Sequence, residues 1–155
     1  MTLQFEIQTS TNGVIKKTSI KCQRAHDLCS LCLITDNGEE KSYIAHDYYT
    51  CLGLARADLP ETKFLCKGAK LNVHPSRMSS QMSSGIVAYE IKSGVPTEPE
   101  DMVRIFDYED SEITNDIQQQ HEFYRSWIKS LGFEVPDGEK KENPLDEILI
   151  GMKSP

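Results

Sequence analysis

Cys29-Ser30-Leu31-Cys32 is a Cys-x-x-Cys, with Cys22 and His26 shortly before it. Such a cluster raises the question of zinc, which needs about four thiolates or imidazoles converging tetrahedrally. A second pair at the usual spacing is absent. The run from Leu28 to Ile34 also reads as an apolar strand, which would send Cys29 and Cys32 to opposite faces. The five cysteines (Cys22, Cys29, Cys32, Cys51 and Cys66) form an odd set, and Met1 to Ser10 shows no secretory signal. Both points argue for a reducing cytoplasm and for thiols acting as small buried apolar groups, without a disulfide framework. No metal and no cofactor is expected.

The histidines are His26, His46, His74 and His121. His26-Asp27 and His46-Asp47 are adjacent pairs, and sequence neighbours seldom orient one another as a catalytic dyad does. Cys66 with His74 has the residue types of a nucleophile and its base. No activating elbow or oxyanion-hole motif accompanies them, however. No G-x-x-x-x-G-K-S/T, G-x-G-x-x-G, H-E-x-x-H or calcium loop occurs. The residues therefore point away from an enzyme. A metal-binding protein at Cys29 and Cys32, or a small enzyme built on Cys66, stands third among the readings.

Charge is more informative. The chain has 155 residues and a net charge of −7. Segment 98–122 holds nine acidic residues against one base, Arg104, a net of −8, so the remainder is nearly balanced. Such a field repels nucleic acid and anionic lipid and attracts a basic protein surface. Neither a nucleic-acid nor a membrane partner is expected, and no stretch approaches the roughly 20 apolar residues that span a bilayer. Apolar and aromatic groups lie inside this segment: Met102, Val103, Ile105, Phe106 and Tyr108. Carboxylates at a rim steer a partner and an aromatic ring anchors it. Val103, Ile105 and Phe106 are also natural core residues, so Tyr108, with charges on both sides, is the surface candidate. The polar run Pro75 to Ser84 carries Met78 and Met82, an adaptable residue type at binding surfaces. The candidate partner-binding set is Asp101, Asp107, Tyr108, Glu109, Asp110, Glu112, Met78 and Met82.

The elements that must position these residues read as follows. Leu3 to Gln8 alternates apolar and polar, as a half-buried strand does. Asn12-Gly13 turns it into Val14–Cys22. Ser30–Thr35 is a central strand, and Asp36-Asn37-Gly38 returns Glu40–Ile44, so residues 1–45 form an antiparallel meander. Residues 47–58 change to a helical period, with Tyr48, Cys51, Leu52 and Ala55 on one face and Asp47 as N-cap. Phe64–Cys66, Lys70–His74 and Gly85–Lys92 are short strands; Pro75–Ser84 is a loop; Asp101–Phe106 is a turn or strand. Residues 114–131 form the clearest helix, capped by Thr114 and stopped by Gly132. Its apolar stripe is Ile117, His121, Tyr124, Ile128 and Leu131. The expected fold is α+β, mainly antiparallel sheet with two helices, in one domain over 1–135. Residues 136–155 form a charged tail in which Leu145–Leu149 could dock.

Cys66-Lys67-Gly68, Val73-His74-Pro75-Ser76-x-Met78, Met82-x-x-Gly85-x-x-Ala88-Tyr89 and Asp101-x-Val103-x-Ile105-Phe106-Asp107 together resemble a group of small bacterial proteins encoded beside secreted polymorphic toxins. The resemblance covers residues 64–107. Ser83 and Ser84 depart from the glycines it leads one to expect. It implies a cytosolic immunity protein that binds a cognate toxin and neutralises it, with no catalytic residues. An acidic surface facing a basic toxin domain agrees with that reading. An acidic secretion chaperone or adaptor, wrapping an effector segment in an apolar groove, is the alternative.

Overall fold

A computed structural model describes residues 2–134. The expected tail, 136–155, and the docking of Leu145–Leu149 lie outside the described residues. The fold is α+β, as the pattern predicted. Four strands form the meander: β1 (Thr2–Thr11), β2 (Val14–Ala25), β3 (Leu28–Ile34) and β4 (Glu40–Ala45). The β1–β2 turn takes positive φ at Asn12 (52°) and Gly13 (79°), the conformation a tight Asn-Gly hairpin requires. β5 (Thr62–Leu65) pairs with the free side of β1, giving the antiparallel order β4-β3-β2-β1-β5. Because side chains alternate across a strand, register sets the core. Ile20 lies between Phe5 and Leu33, and Leu31 lies between Cys22 and Tyr43.

Helix α1 (Tyr48–Asp58) lies against β3 and β4. Asp47 caps it by accepting from Thr50 N at 2.8 Å. The expected single apolar face understates its setting. Tyr48 to Gly53, Ala55 and Arg56 are all buried, so the helix is enclosed nearly all round.

The second sheet has the order β6-β7-β8, from β6 (Val73–His74), β7 (Val87–Glu90) and β8 (Met102–Arg104). One continuous core joins the two sheets, with Ile7, Ile20, Leu52, Val73, Ala88 and Ile105 among its members. Phe5 of β1 meets Phe106, which follows β8, at a centroid separation of 4.7 Å.

Three expectations change. Within Pro75–Ser84 lies a third helix, α2 (Arg77–Met82), capped by the Ser76 hydroxyl accepting from Ser79 N at 3.0 Å. The strand expected over Gly85–Lys92 is shorter, because the chain turns through positive φ at Ser84 (56°) and Gly85 (80°) before β7 begins. The long helix α3 (Ile117–Ser130) is capped by Asp116, which accepts from Gln118 N at 2.9 Å. Thr114, the expected cap, instead accepts from Asp116 N at 3.1 Å and donates to Gln119 Oε1.

A buried polar hub fixes α3 to α1. Arg56 is fully buried; it donates from Nη2 to Gln120 Oε1 at 2.5 Å and from Nη1 to Thr114 O at 3.1 Å. Gln120, also fully buried, donates Nε2 to Gly68 O at 3.0 Å and Lys70 O at 2.8 Å. Arg56 Nε has no hydrogen-bond partner, and burial lowers the guanidinium's pKa. No helix among the described residues is long and apolar enough to cross a membrane.

Candidate functional site

The hub holds α3 over the second sheet, and a groove opens between them. Antiparallel register aligns His74, Tyr89 and Met102 in one row across β6, β7 and β8. From the other side α3 presents Tyr124 and Trp127. The groove has a volume of about 360 Å³; Glu98 and Pro99 stand at its lip and Ser76 at the start of α2. Glu98 and Asp101 close a capping box around the turn Pro99–Asp101, with Asp101 Oδ2 accepting from Glu98 N at 2.9 Å. The loop carrying Glu98 is therefore held in place. Trp127 Nε1 donates to Val95 O at 2.8 Å, and Gly94 N donates to Ser130 Oγ at 2.7 Å, tying the 94–95 turn to α3.

His74 sits deep in this wall. It stacks on Tyr124 at 3.9 Å and 12°, and meets Tyr49 edge-on at 5.3 Å. Its Nδ1 is 2.7 Å from Pro75 O, and its Nε2 is 3.0 Å from His121 Nδ1. A carbonyl only accepts, so Nδ1 of His74 carries the proton. Nε2 then offers a lone pair, and His121 Nδ1–H donates to it. Burial pushes the His74 pKa down to about 3, helped by His121. Burial likewise lowers His121 to about 4; Arg125, His46 and Arg56 add to the effect and Asp47 opposes it. Both rings are neutral at pH 7. With both of its nitrogens engaged, His74 has no lone pair to act as a base toward Cys66. That thiol is fully buried and pushed up to about 11 by desolvation. Cys29 is buried and Cys32 half-buried on alternate faces of β3, as expected. Among the described residues no group of three or more histidine, cysteine, aspartate or glutamate side chains is arranged to hold a metal.

The predicted partner-binding residues divide. Met78 and Met82 are 71% and 81% exposed on one face of α2. Tyr108 is 54% exposed, its hydroxyl donating to Asp110 Oδ2 at 3.2 Å. Asp107, Asp110 and Glu112 face solvent. Asp101 is half-buried and occupied in its cap. Glu109 is internal. Its Oε1 lies 2.9 Å from Lys67 Nζ and 3.0 Å from Lys70 Nζ, and its Oε2 accepts from Ser111 N. The Lys67 ammonium foremost, with Lys70 and Ser111 N, holds its pKa down near 2. Glu109 is thus a brace between the segment and the turn at 67–70. Ile105 and Phe106 are buried and Val103 half-buried, the core roles open to them.

Sequence reasoning missed Tyr89, Glu98 and Trp127 as neighbours, and missed Arg56 and Gln120 altogether. The available signal was the spacing of Tyr89 in β7 and Ile91 just after it, two residues apart and both lining the groove. No protein-family model matches the chain, and no curated protein matches it.

Proposed function

We propose that the protein works by binding another protein, as an acidic immunity protein of the bacterial cytoplasm that neutralises a cognate toxin domain. The observation that carries this reading is the groove. It is walled by aromatic and apolar side chains, and Glu98 at its lip begins the segment with a net charge of −8. A concave aromatic centre with a charged border is the composition that anchors and steers a protein partner. Met78 and Met82 are exposed on α2, the helix that follows Ser76 of the groove lining, and Asp107, Asp110 and Glu112 supply outward negative charge. The resemblance over residues 64–107 supports the toxin as the partner and gives no role to a catalytic residue.

The test is capture by the tagged protein from the native lysate, followed by association kinetics with whatever is recovered. Recovery of a large secreted protein through its C-terminal toxin domain is expected. Reversing Asp107, Asp110 and Glu112 to lysine should slow association about tenfold at low salt and flatten its salt dependence. Recovery of an effector through an extended N-terminal segment would replace this reading with the chaperone one. An unchanged association rate and salt slope would remove the acidic strip from the interface.

A further inference from the structure

The groove also indicates which chemical group of a partner it takes. Its walls are lined by Tyr89, Tyr124 and Trp127, and its lip by Glu98, whose carboxylate also accepts from Asp101 N in the capping box. No lysine or arginine lines it among the described residues. His74, the one titratable base there, is neutral at pH 7, with its protonated nitrogen turned to Pro75 O. A nucleotide or other anion would meet a carboxylate and no cation. A purely aliphatic group would leave Glu98 partly desolvated without a counter-charge, which is costly. A planar cation suits both features, since guanidinium groups stack on aromatic faces and pair with carboxylates through a fork of donors.

We propose that the groove between α3 and the His74–Tyr89–Met102 row receives an arginine side chain of a protein partner. Its guanidinium stacks against the Tyr124–Trp127 wall and pairs with Glu98. The capping box is what makes this geometry usable, because it holds the loop bearing Glu98 before the partner arrives. The two rings of the wall are already oriented: Tyr124 and Trp127 lie 5.8 Å apart at 31°, and Tyr124 is backed by His74. Preorganised side chains lose little freedom on binding. This assignment rests on the protein-binding reading above, but it is tested separately.

Trp127 is the chain's sole tryptophan, so its emission reports on this groove directly. The full-length protein is titrated with N-acetylargininamide and with its neutral isostere N-acetylcitrullinamide. A saturable change in Trp127 emission is expected for the arginine compound in the millimolar range, and binding at least about tenfold weaker for the citrulline compound. Glu98→Gln should weaken the arginine compound about threefold to tenfold without shifting the response to citrulline. Met102→Lys, which places a cation at the groove's exposed edge, should abolish the response while the far-UV circular dichroism stays that of wild type. Equal responses to arginine and citrulline, no saturable response, or an unchanged affinity in Glu98→Gln would each overturn the proposal. If these titrations fail while the protein still captures a partner, the groove assignment falls and the binding reading stands. If they succeed while no protein is captured, the binding reading falls and a free cationic ligand takes its place.

Discussion

Removing Gln120 should unlock α3 from the rest of the molecule, and the size of the effect follows from the hub. In Gln120→Leu, Arg56 Nη2 loses its acceptor at 2.5 Å, while the carbonyl of Lys70 loses one donor at 2.8 Å and keeps Val73 N at 3.1 Å. The carbonyl of Gly68 keeps only Arg56 Nη1, at 3.4 Å. A buried neutral group left unpaired costs about 1–3 kcal/mol and a charged one more. The expected loss is therefore about 4 kcal/mol, a large share of the roughly 5–15 kcal/mol that stabilises a typical domain. Arg56→Met orphans Gln120 Oε1 and Thr114 O, but it also removes a buried cation whose Nε already lacks a partner. Its cost should be smaller, about 2 kcal/mol, because an uncompensated buried charge is itself destabilising. The double variant should cost about 4 kcal/mol, not the roughly 6 of independent sites, since no guanidinium remains to be left unpaired. Urea unfolding followed by far-UV circular dichroism measures all three, with m required to stay constant. A Gln120→Leu cost below about 1 kcal/mol, or strict additivity in the double variant, would refute the hub as the element that seats α3.

Two further outcomes follow from the same geometry. The folded pKa values of His74 and His121 lie below the ordinary histidine value, so the unfolded chain binds more protons beneath pH 6.5, and stability should fall as the pH drops from there toward 4. The slope is at most about 1.4 kcal/mol per pH unit per imidazole. Urea titrations across pH 4–7 should show it, and His121→Leu should flatten it by about half; a wild-type profile level over that range would exclude both rings as the source. Gly85→Ala would place a Cβ 3.0–3.2 Å from the Asp47 side chain at φ +80°. Strain in the left-handed region alone costs about 1–2 kcal/mol, so thermal unfolding should shift down by several degrees.

The meander was legible because its alternation, Asn-Gly turn and Asn37-Gly38 return are local signals that register only amplifies. Asp47 announced α1 for the same reason, a side chain capping its own neighbour. The enclosure of α1 was not legible, since it depends on the sheet and α3 arriving from elsewhere. Helix α2 was hidden by six polar and methionine residues with no apolar period; the one cue was Ser76, three residues ahead of the amide it caps. His121 could be placed on the inward face of α3, but its partner lies 47 residues away, beyond any pattern of spacing. The groove has the same difficulty, because Tyr89, Met102 and Trp127 come from three elements. Glu109 was misjudged because a count of charges in a segment carries no information about lysines some forty residues earlier that neutralise one of them.

That last point changes how the acidic segment should be understood. Its net charge of −8 describes the sequence, whereas the field outside the protein depends on which carboxylates face outward without a partner cation. Glu109 is matched by Lys67 and Lys70, which belong to the nearly balanced remainder of the chain. Asp101 and Asp116 cap turns and helices, where a carboxylate is stabilised by backbone amides. The outward potential is therefore weaker than −8, resting on Asp107, Asp110 and Glu112 beside Tyr108, on Glu98 at the groove, and on the exposed Glu100 and Glu122. Screening over about 8–10 Å at ordinary salt restricts steering to charges near the contact. Charge reversal at the three outward carboxylates beside Tyr108 thus separates association from folding. The same change at Glu109 would break a brace and confound the two.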